Sequence, residues 1–382
     1  MHLSRVFLAV TVASVAVAGA GPAAAKPGDK IEGSYICVFK SAAVSRGNVR
    51  AEANKAASQG GGQIRHIYEA AIRGFSVAMS QNAADQLSRR NPNIAYCEQD
   101  QEMGFEQDAL TFRELGKPAA PTQPAQKTPW GVTRVNGGTG VTTNGRAWII
   151  DTGIDLNHPD LRVSQTLSKN FVSRETSPDD LNGHGTHVAG TIAAKDDAYG
   201  VIGIVPGAEV VAVRVLNRRG SGSNSDVIAG VNYVAAQYDA GVAKSADVAN
   251  MSLGGSVSTA LDTAVKNAAA KGIRFTLAAG NESDDANNHS PARVNGSTIF
   301  TVSSFAQGDV WSGFSNYGNP PVDYAEPGSS ILSTYKDGGY ATASGTSMAA
   351  PHLAGILLAG SVRSGGTVAT DPDSTDDTIG VH

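Results

Sequence analysis

The sequence predicts an α/β protein, with a mostly parallel sheet in its main domain and a small α+β domain ahead of it. Three observations carry this: short apolar runs alternate with helically spaced segments beyond Trp130, Ser34 to Glu102 reads βαββαβ, and a Pro-, Ala- and Gln-rich stretch parts the two. The 382 residues are 41% hydrophobic and 17% charged, which supplies apolar material for two cores and excludes disorder throughout. The 44 glycines favour tight turns and close backbone approaches over long helical bundles. Net charge is -5 and no run of five or more Lys or Arg occurs, so no nucleic-acid footprint is present.

The elements follow in chain order. Residues 1–25 read as a signal peptide: Arg5 is the positive start, Val6 to Ala18 the apolar run, and Ala23 to Ala25 the small residues for cleavage before Lys26. That run is short for a membrane span and lacks a charged stop after it, and no later segment is long and apolar enough to cross a bilayer. The product is therefore expected to be secreted, extracellular or periplasmic, with no membrane partner once the signal is removed. Within 34–103, "SYICVF", "QIRHIYE", "GFSVAM" and "IAYCEQ" read as strands, and "NVRAEANKAAS" and "NAADQLSRR" as helices. This is the ferredoxin-like order, in which the first and last strands are antiparallel neighbours. Cys37 and Cys97, the two cysteines of the chain, lie on those strands, and register decides whether they bridge. Residues 104–129 contain "GKPAAPTQPAQKTP", an exposed linker without hydrophobic period.

In 130–382, "RAWII", "VVAVRV", "ADVANMS", "IRFTLAA" and "STIFTVSS" are runs of the kind buried in a parallel sheet, with "SDVIAGVNYVAAQYDA" and "TALDTAVKNAAAKG" as helices between them. Reactive groups are expected at the carboxyl ends of such strands. "SGTSMAAPH" frames Ser347 at a helix start, where backbone N–H groups face any anion formed beside the hydroxyl. A serine hydroxyl needs a base and an orienting acid. "AWIIDTGID" puts Asp151 at a strand end, and "NGHGTHVAGT" puts His184 between glycines at a helix start. His187, three residues on, raises a metal pair, but no glutamate stands between the two in the H-E-x-x-H pattern. "AAGNES" places Asn281 just past a strand end as a second donor to the anion. Taken singly, Asp151 and Asn281 also read as ordinary turn residues.

Asp151, His184, Asn281 and Ser347, in this order, resemble the subtilase family of subtilisin-like serine peptidases, and the spacing is most similar to its proteinase K-like branch. "HPDL" at His158, "SLGG" at Ser252 and "FSNYG" at Phe314 extend the resemblance over Trp130 to about Gly360. The resemblance implies a subtilisin-like three-layer domain and a secreted endopeptidase working through an acyl-enzyme. It implies that His184 is the base, Asp151 orients it, and Asn281 with the Ser347 N–H forms the oxyanion hole. It also implies that Gly220, Ser221 and Gly222 with Ser252, Leu253 and Gly254 bind the substrate main chain by strand addition, and that Ala278, Ala279 and Gly280 line the pocket for the residue before the cut. Small, uncharged walls there imply apolar or broad preference. Through "YICVFK", "GFSVAMS" and "IAYCEQDQE" the leading domain resembles the family's inhibitory propeptide, cut away by the enzyme between Met103 and Pro129. The partners implied are protein or peptide substrates and the chain's own propeptide, with the enzyme a monomer. No cofactor is needed for catalysis. Asp323 falls near a family calcium position, with carbonyls around Ser297 and Ile299 as companions, although one extra residue before it also leaves a solvated loop aspartate open. After Gly360 the chain departs from the family: "SVRSGGTVATDPDSTDDTIGVH" is acidic and reads as a surface tail or an incomplete closing of the domain.

Two other classes compete. An α/β-hydrolase esterase needs its acid and histidine after the serine and a glycine where Ala349 stands. A catalytically silent binding module that retains its propeptide would carry the same residues and be indifferent to Ser347→Ala.

Overall fold

The computed structural model describes residues 26–105, 113–114, 124–173 and 175–382. The expected signal peptide, 1–25, and most of the expected linker lie outside the described residues.

The leading domain has the expected order: β1 (Lys30–Phe39), α1 (Val49–Gly60), β2 (Gln63–Tyr68), β3 (Gly74–Ala78), α2 (Gln81–Arg90) and β4 (Ile94–Gly104). Gly61, in left-handed geometry, ends α1, and the Ser80 side chain caps α2 by accepting the Ala83 N–H. The strands are arranged β4-β1-β3-β2, and their inner face packs Tyr35, Phe39, Phe75 and Val77 against Ala53, Ala56 and Leu87 of the helices. Cys37 and Cys97 stand directly opposite in the β1–β4 register and form a disulfide.

β4 runs past the expected end of its strand, leaves this core, and pairs antiparallel with β8 (Ser221–Ser223) of the main domain. The leading domain's sheet thus takes in a main-domain strand. Around that junction Asp100 accepts from Ser225 N–H and Oγ, Glu98 accepts from Ser258 Oγ, and His66 Nε2 lies 2.7 Å from Asp226 Oδ1. The first two carboxyls sit at the N-termini of α4 (Asn224–Asp239) and α5 (Thr259–Ala269), where the helix dipole favours negative charge. Burial raises the pKa of both.

The main sheet runs, from one edge, β15 (Arg363–Thr367), β16 (Thr378–Val381), β12 (Val322–Pro327), β11 (Ile299–Ala306), β10 (Arg274–Ala278), β9 (Val248–Met251), β6 (Arg146–Asp151) and β7 (Glu209–Arg214). From β16 to β7 the neighbours are parallel. Trp148, Ile149 and Ile150 of β6 are wholly buried, as are Val188 and Ile192 of α3 (His184–Ala193) and Leu353 and Ile356 of α6 (Thr346–Ala359). Helices therefore cover the sheet, and each fully buried Leu or Ile contributes roughly 1.5–3 kcal/mol. The C-terminal residues are not a surface tail: β15 and β16 extend the sheet, with Ile379 and Val381 buried beside Phe305. No helix among the described residues is long and apolar enough to cross a membrane.

Candidate active site

Every catalytic residue singled out from the sequence lies at one edge of this sheet. Asp151 ends β6, Ser252 follows β9, Asn281 lies three residues past β10, and α3 and α6 begin with His184 and Thr346. Asp151 is fully buried and both its oxygens meet His184 Nδ1, at 2.8 and 2.9 Å, while the Thr152 N–H donates to Oδ1. This contact requires glycine after the histidine: a Cβ on Gly185 would come 2.1 Å from the Gly153 carbonyl and 3.2 Å from Asp151. Asp180, which no sequence motif singles out, fixes the turn before α3. It accepts from Thr152 Oγ1, from the Asn182, Gly183 and Thr186 N–H groups and from Thr186 Oγ1, and burial raises its pKa. Its sequence signal is an acid four residues before His184.

Ser347 is joined to Ser252 in both directions. Its Oγ donates to the Ser252 carbonyl at 3.2 Å, and the Ser252 Oγ donates to the Ser347 carbonyl at 2.8 Å. Pro351 explains the second bond, since it lacks the N–H that would have bonded the Ser347 carbonyl within the helix. Asn281 is oriented by Thr346, whose N–H and hydroxyl donate to Oδ1 at 2.8 and 3.1 Å, so that Nδ2 is the donor end of the amide. His187 is packed within the interior behind His184. Its Nε2 lies 3.0 Å from the Ile331 carbonyl, and burial pushes its pKa down to about 3. No group of three or more His, Cys, Asp or Glu side chains that could hold a metal occurs among the described residues.

The cleft holds the chain's own strand. Met103 lies opposite Gly222 and Gly104 opposite Ser221, while on the other side Gly104 exchanges two main-chain hydrogen bonds with Gly254, of 3.1 and 2.8 Å. The Phe105 ring stacks on the His184 imidazole with centroids 4.0 Å apart, and a Cβ on Gly220 would overlap that ring. Beside Ser347 is a cavity of about 30 Å³ whose lining includes Ala278, Ala279 and Gly280 together with Leu253 and Gly254. Its walls are not all small and apolar, because Glu282 and His289 also line it. Asp323 stands apart from this edge in β12, half-buried, with its Oδ2 accepting the Thr301 N–H at 2.9 Å and its pKa pushed up to about 6 by desolvation.

A buried acid, a histidine and a helix-start serine beside an occupied extended-peptide cleft define a serine hydrolase of peptides. The chain belongs to the subtilase family, whose model matches residues 148–360, and the model for peptidase inhibitor I9 matches residues 34–106. It is 40% identical over 308 residues to alkaline serine exoprotease A of Vibrio alginolyticus, a match covering 77% of this chain and 52% of that protein. The chain thus spans about half the length of that relative. It is 39% identical to the subtilisin-like serine protease AsES of Sarocladium strictum, covering 77% of this chain and 72% of the relative, and 32% identical to proteinase R of Parengyodontium album, covering 86% and 79%. A crystal structure of a cold adapted subtilisin-like serine proteinase matches with a TM-score of 0.56 at 39% identity, over 65% of this chain and 96% of that one.

Proposed function

We propose that the chain is the precursor of an exported serine endopeptidase that cuts away its own inhibitory domain and then hydrolyses protein substrates. The observation that carries this reading is the path of β4. It enters the cleft extended and bonded through its main chain on both sides, as a peptide substrate would be.

In the proposed reaction the Ser347 Oγ attacks the peptide carbonyl while His184 Nε2 takes its proton. The carbonyl oxygen becomes an anion held by Asn281 Nδ2 and the Ser347 N–H. Its collapse to the acyl-enzyme breaks the C–N bond as His184 gives the proton to the leaving amine. Water, activated by the same imidazole, then releases the acid. Asp151, bonded to Nδ1, keeps Nε2 in the unprotonated, accepting state and stabilises the imidazolium.

The proposed maturation cut falls between Phe105 and Arg113, because the chain is bound in the cleft up to Phe105 and is paired again at Arg113 on another strand. The propeptide then ends beyond the 34–103 expected from the sequence, and the peptidase domain keeps 130–382. The whole site comes from one chain, which supports a monomer. Export is supported by a relative named extracellular serine proteinase, from Thermus sp. (strain Rt41A). We also propose a structural calcium ion held by Asp323 with main-chain carbonyls around Ser297 and Ile299. A half-buried carboxylate with a raised pKa is a donor that a hard cation would stabilise. Chelation should lower the Tm of the wild type and leave Asp323→Asn unmoved. An equal response in both variants removes this site.

The function is tested on denatured casein with wild type, Ser347→Ala and Asp151→Asn. Hydrolysis by the wild type alone is expected. Undiminished hydrolysis by Ser347→Ala would refute the assignment, and inactivity of all three with the precursor intact would favour the silent binding module.

A further inference from the structure

The described part of the linker, Arg113–Glu114, forms a short strand, β5, on β14 (Gly339–Ala343), with Arg113 opposite Thr342 and Glu114 opposite Ala341. β14 is bonded on its other side to β13 (Ile331–Tyr335), so β5 occupies the outer edge of a hairpin. Both linker residues are exposed, so main chain rather than side chains makes this contact.

The position of that edge matters. β14 ends at Ala343, and Ser347 follows four residues later in the same segment, so Thr342 lies within about 17 Å of the nucleophile along the chain. β5 is antiparallel to β14, so a chain travelling from Arg113 to Glu114 moves away from Ser347. The precursor therefore lies in the cleft through Glu102 to Phe105 and is next described at Arg113, running along β14 away from Ser347.

We propose that the outer edge of β14 is a second peptide-binding site, which takes the extended segment of a protein substrate several residues beyond the cut on the leaving-group side. The linker occupies it in the precursor. In the mature enzyme a substrate displaces the linker from this edge, whose N–H and C=O groups capture an extended peptide of any sequence lacking proline there. The enzyme then grips a substrate by strand addition at two separated places, and long unfolded chains are cut faster than short peptides of the same sequence around the bond. This rests on the peptidase reading above.

The test is a series of fluorescence-quenched peptides, identical before the cut and extended after it by two, four, six and eight residues. kcat/KM should rise about tenfold once the extension reaches the edge, the gain that two main-chain hydrogen bonds supply. N-methylation of alternate residues in the eight-residue extension should remove the gain in one methylation frame and keep it in the other. The series is also run on an enzyme matured from Arg113→Pro with Glu114→Pro, which cannot hold its own linker on the edge, so self-occupancy cannot hide the effect. A flat series in both enzymes, or equal effects of both methylation frames, overturns the site. If even the shortest peptide is not cut, it is the peptidase reading that fails.

Discussion

The propeptide domain and the peptidase domain secure their folds by different means. The first packs four strands and two helices around one small core and ties β1 to β4 by the Cys37–Cys97 disulfide. The second has no cysteine and instead buries an extensive apolar interior on both faces of its sheet. Small domains bury too little surface to be secure without a staple. The difference teaches that the inhibitor is the dispensable half. It is held on the peptidase domain by main-chain pairing in the cleft, by the Asp100 and Glu98 contacts and by apolar packing of Ile36, Val38 and Tyr68, while its internal stability rests on its small core and the bridge.

The sharpest way to break this contrast is to remove the bridge. Cys37→Ser with Cys97→Ser should destabilise the propeptide domain by about 4 kcal/mol, from a loop spanning 60 residues. In urea melts of the Ser347→Ala precursor the propeptide transition should move to lower denaturant and the peptidase transition stay in place. A shift of both would mean the two domains unfold as one. On the peptidase side, Asn281→Ala should lower kcat by about 10²–10³ with little change in stability. That is the size of effect established for the oxyanion asparagine of subtilisin, a member of this same family.

The two halves also respond to acid in opposite senses. Burial pushes His352, inside α6, down to about 4 from 6.5. A depressed histidine contributes stability that is complete above pH 6.5 and lost as pH falls towards 4, about 3 kcal/mol in all. Replacing His352 by Gln should flatten that acid limb in the Tm of the mature enzyme, and an unchanged limb would assign it elsewhere. Asp100 and Glu98 are raised by burial at the interface, so docking takes up protons. Docking is strongest at pH values below the ordinary carboxylate range and weakens as pH rises through the raised values. Release of the cut propeptide should therefore quicken as pH rises through those raised values. Asp100→Asn should blunt that dependence. A release rate independent of pH would contradict the role given to these carboxyls.

Much of this was legible from local pattern. The βαββαβ order, the apolar strand runs and the strand-end positions of Asp151 and Asn281 all follow from hydrophobic period and turn residues, and the structure places them accordingly. What stayed hidden depends on partners distant in sequence. "DQEMG" has no alternating apolar pattern, because its strand is made by pairing with Ser221–Ser223, and "RSGGT" is a strand only because Thr378–Val381 pairs with it. The cysteine bridge required a register that composition cannot supply. Asp180 escapes notice because a capping acid has the same sequence appearance as a turn acid. Glu282 and His289 are hard to foresee as pocket walls because they come from the loop after Asn281 and from a short strand, not from the small-residue run itself.

The central claim is that Ser347 cuts its own chain just beyond the strand it holds. Intact mass of the exported protein, sampled over time after folding beside Ser347→Ala, tests this most directly. The wild type should separate into two fragments whose boundary falls within residues 106–112, while the variant stays whole. A boundary outside that interval, or identical trimming of both proteins, would contradict it.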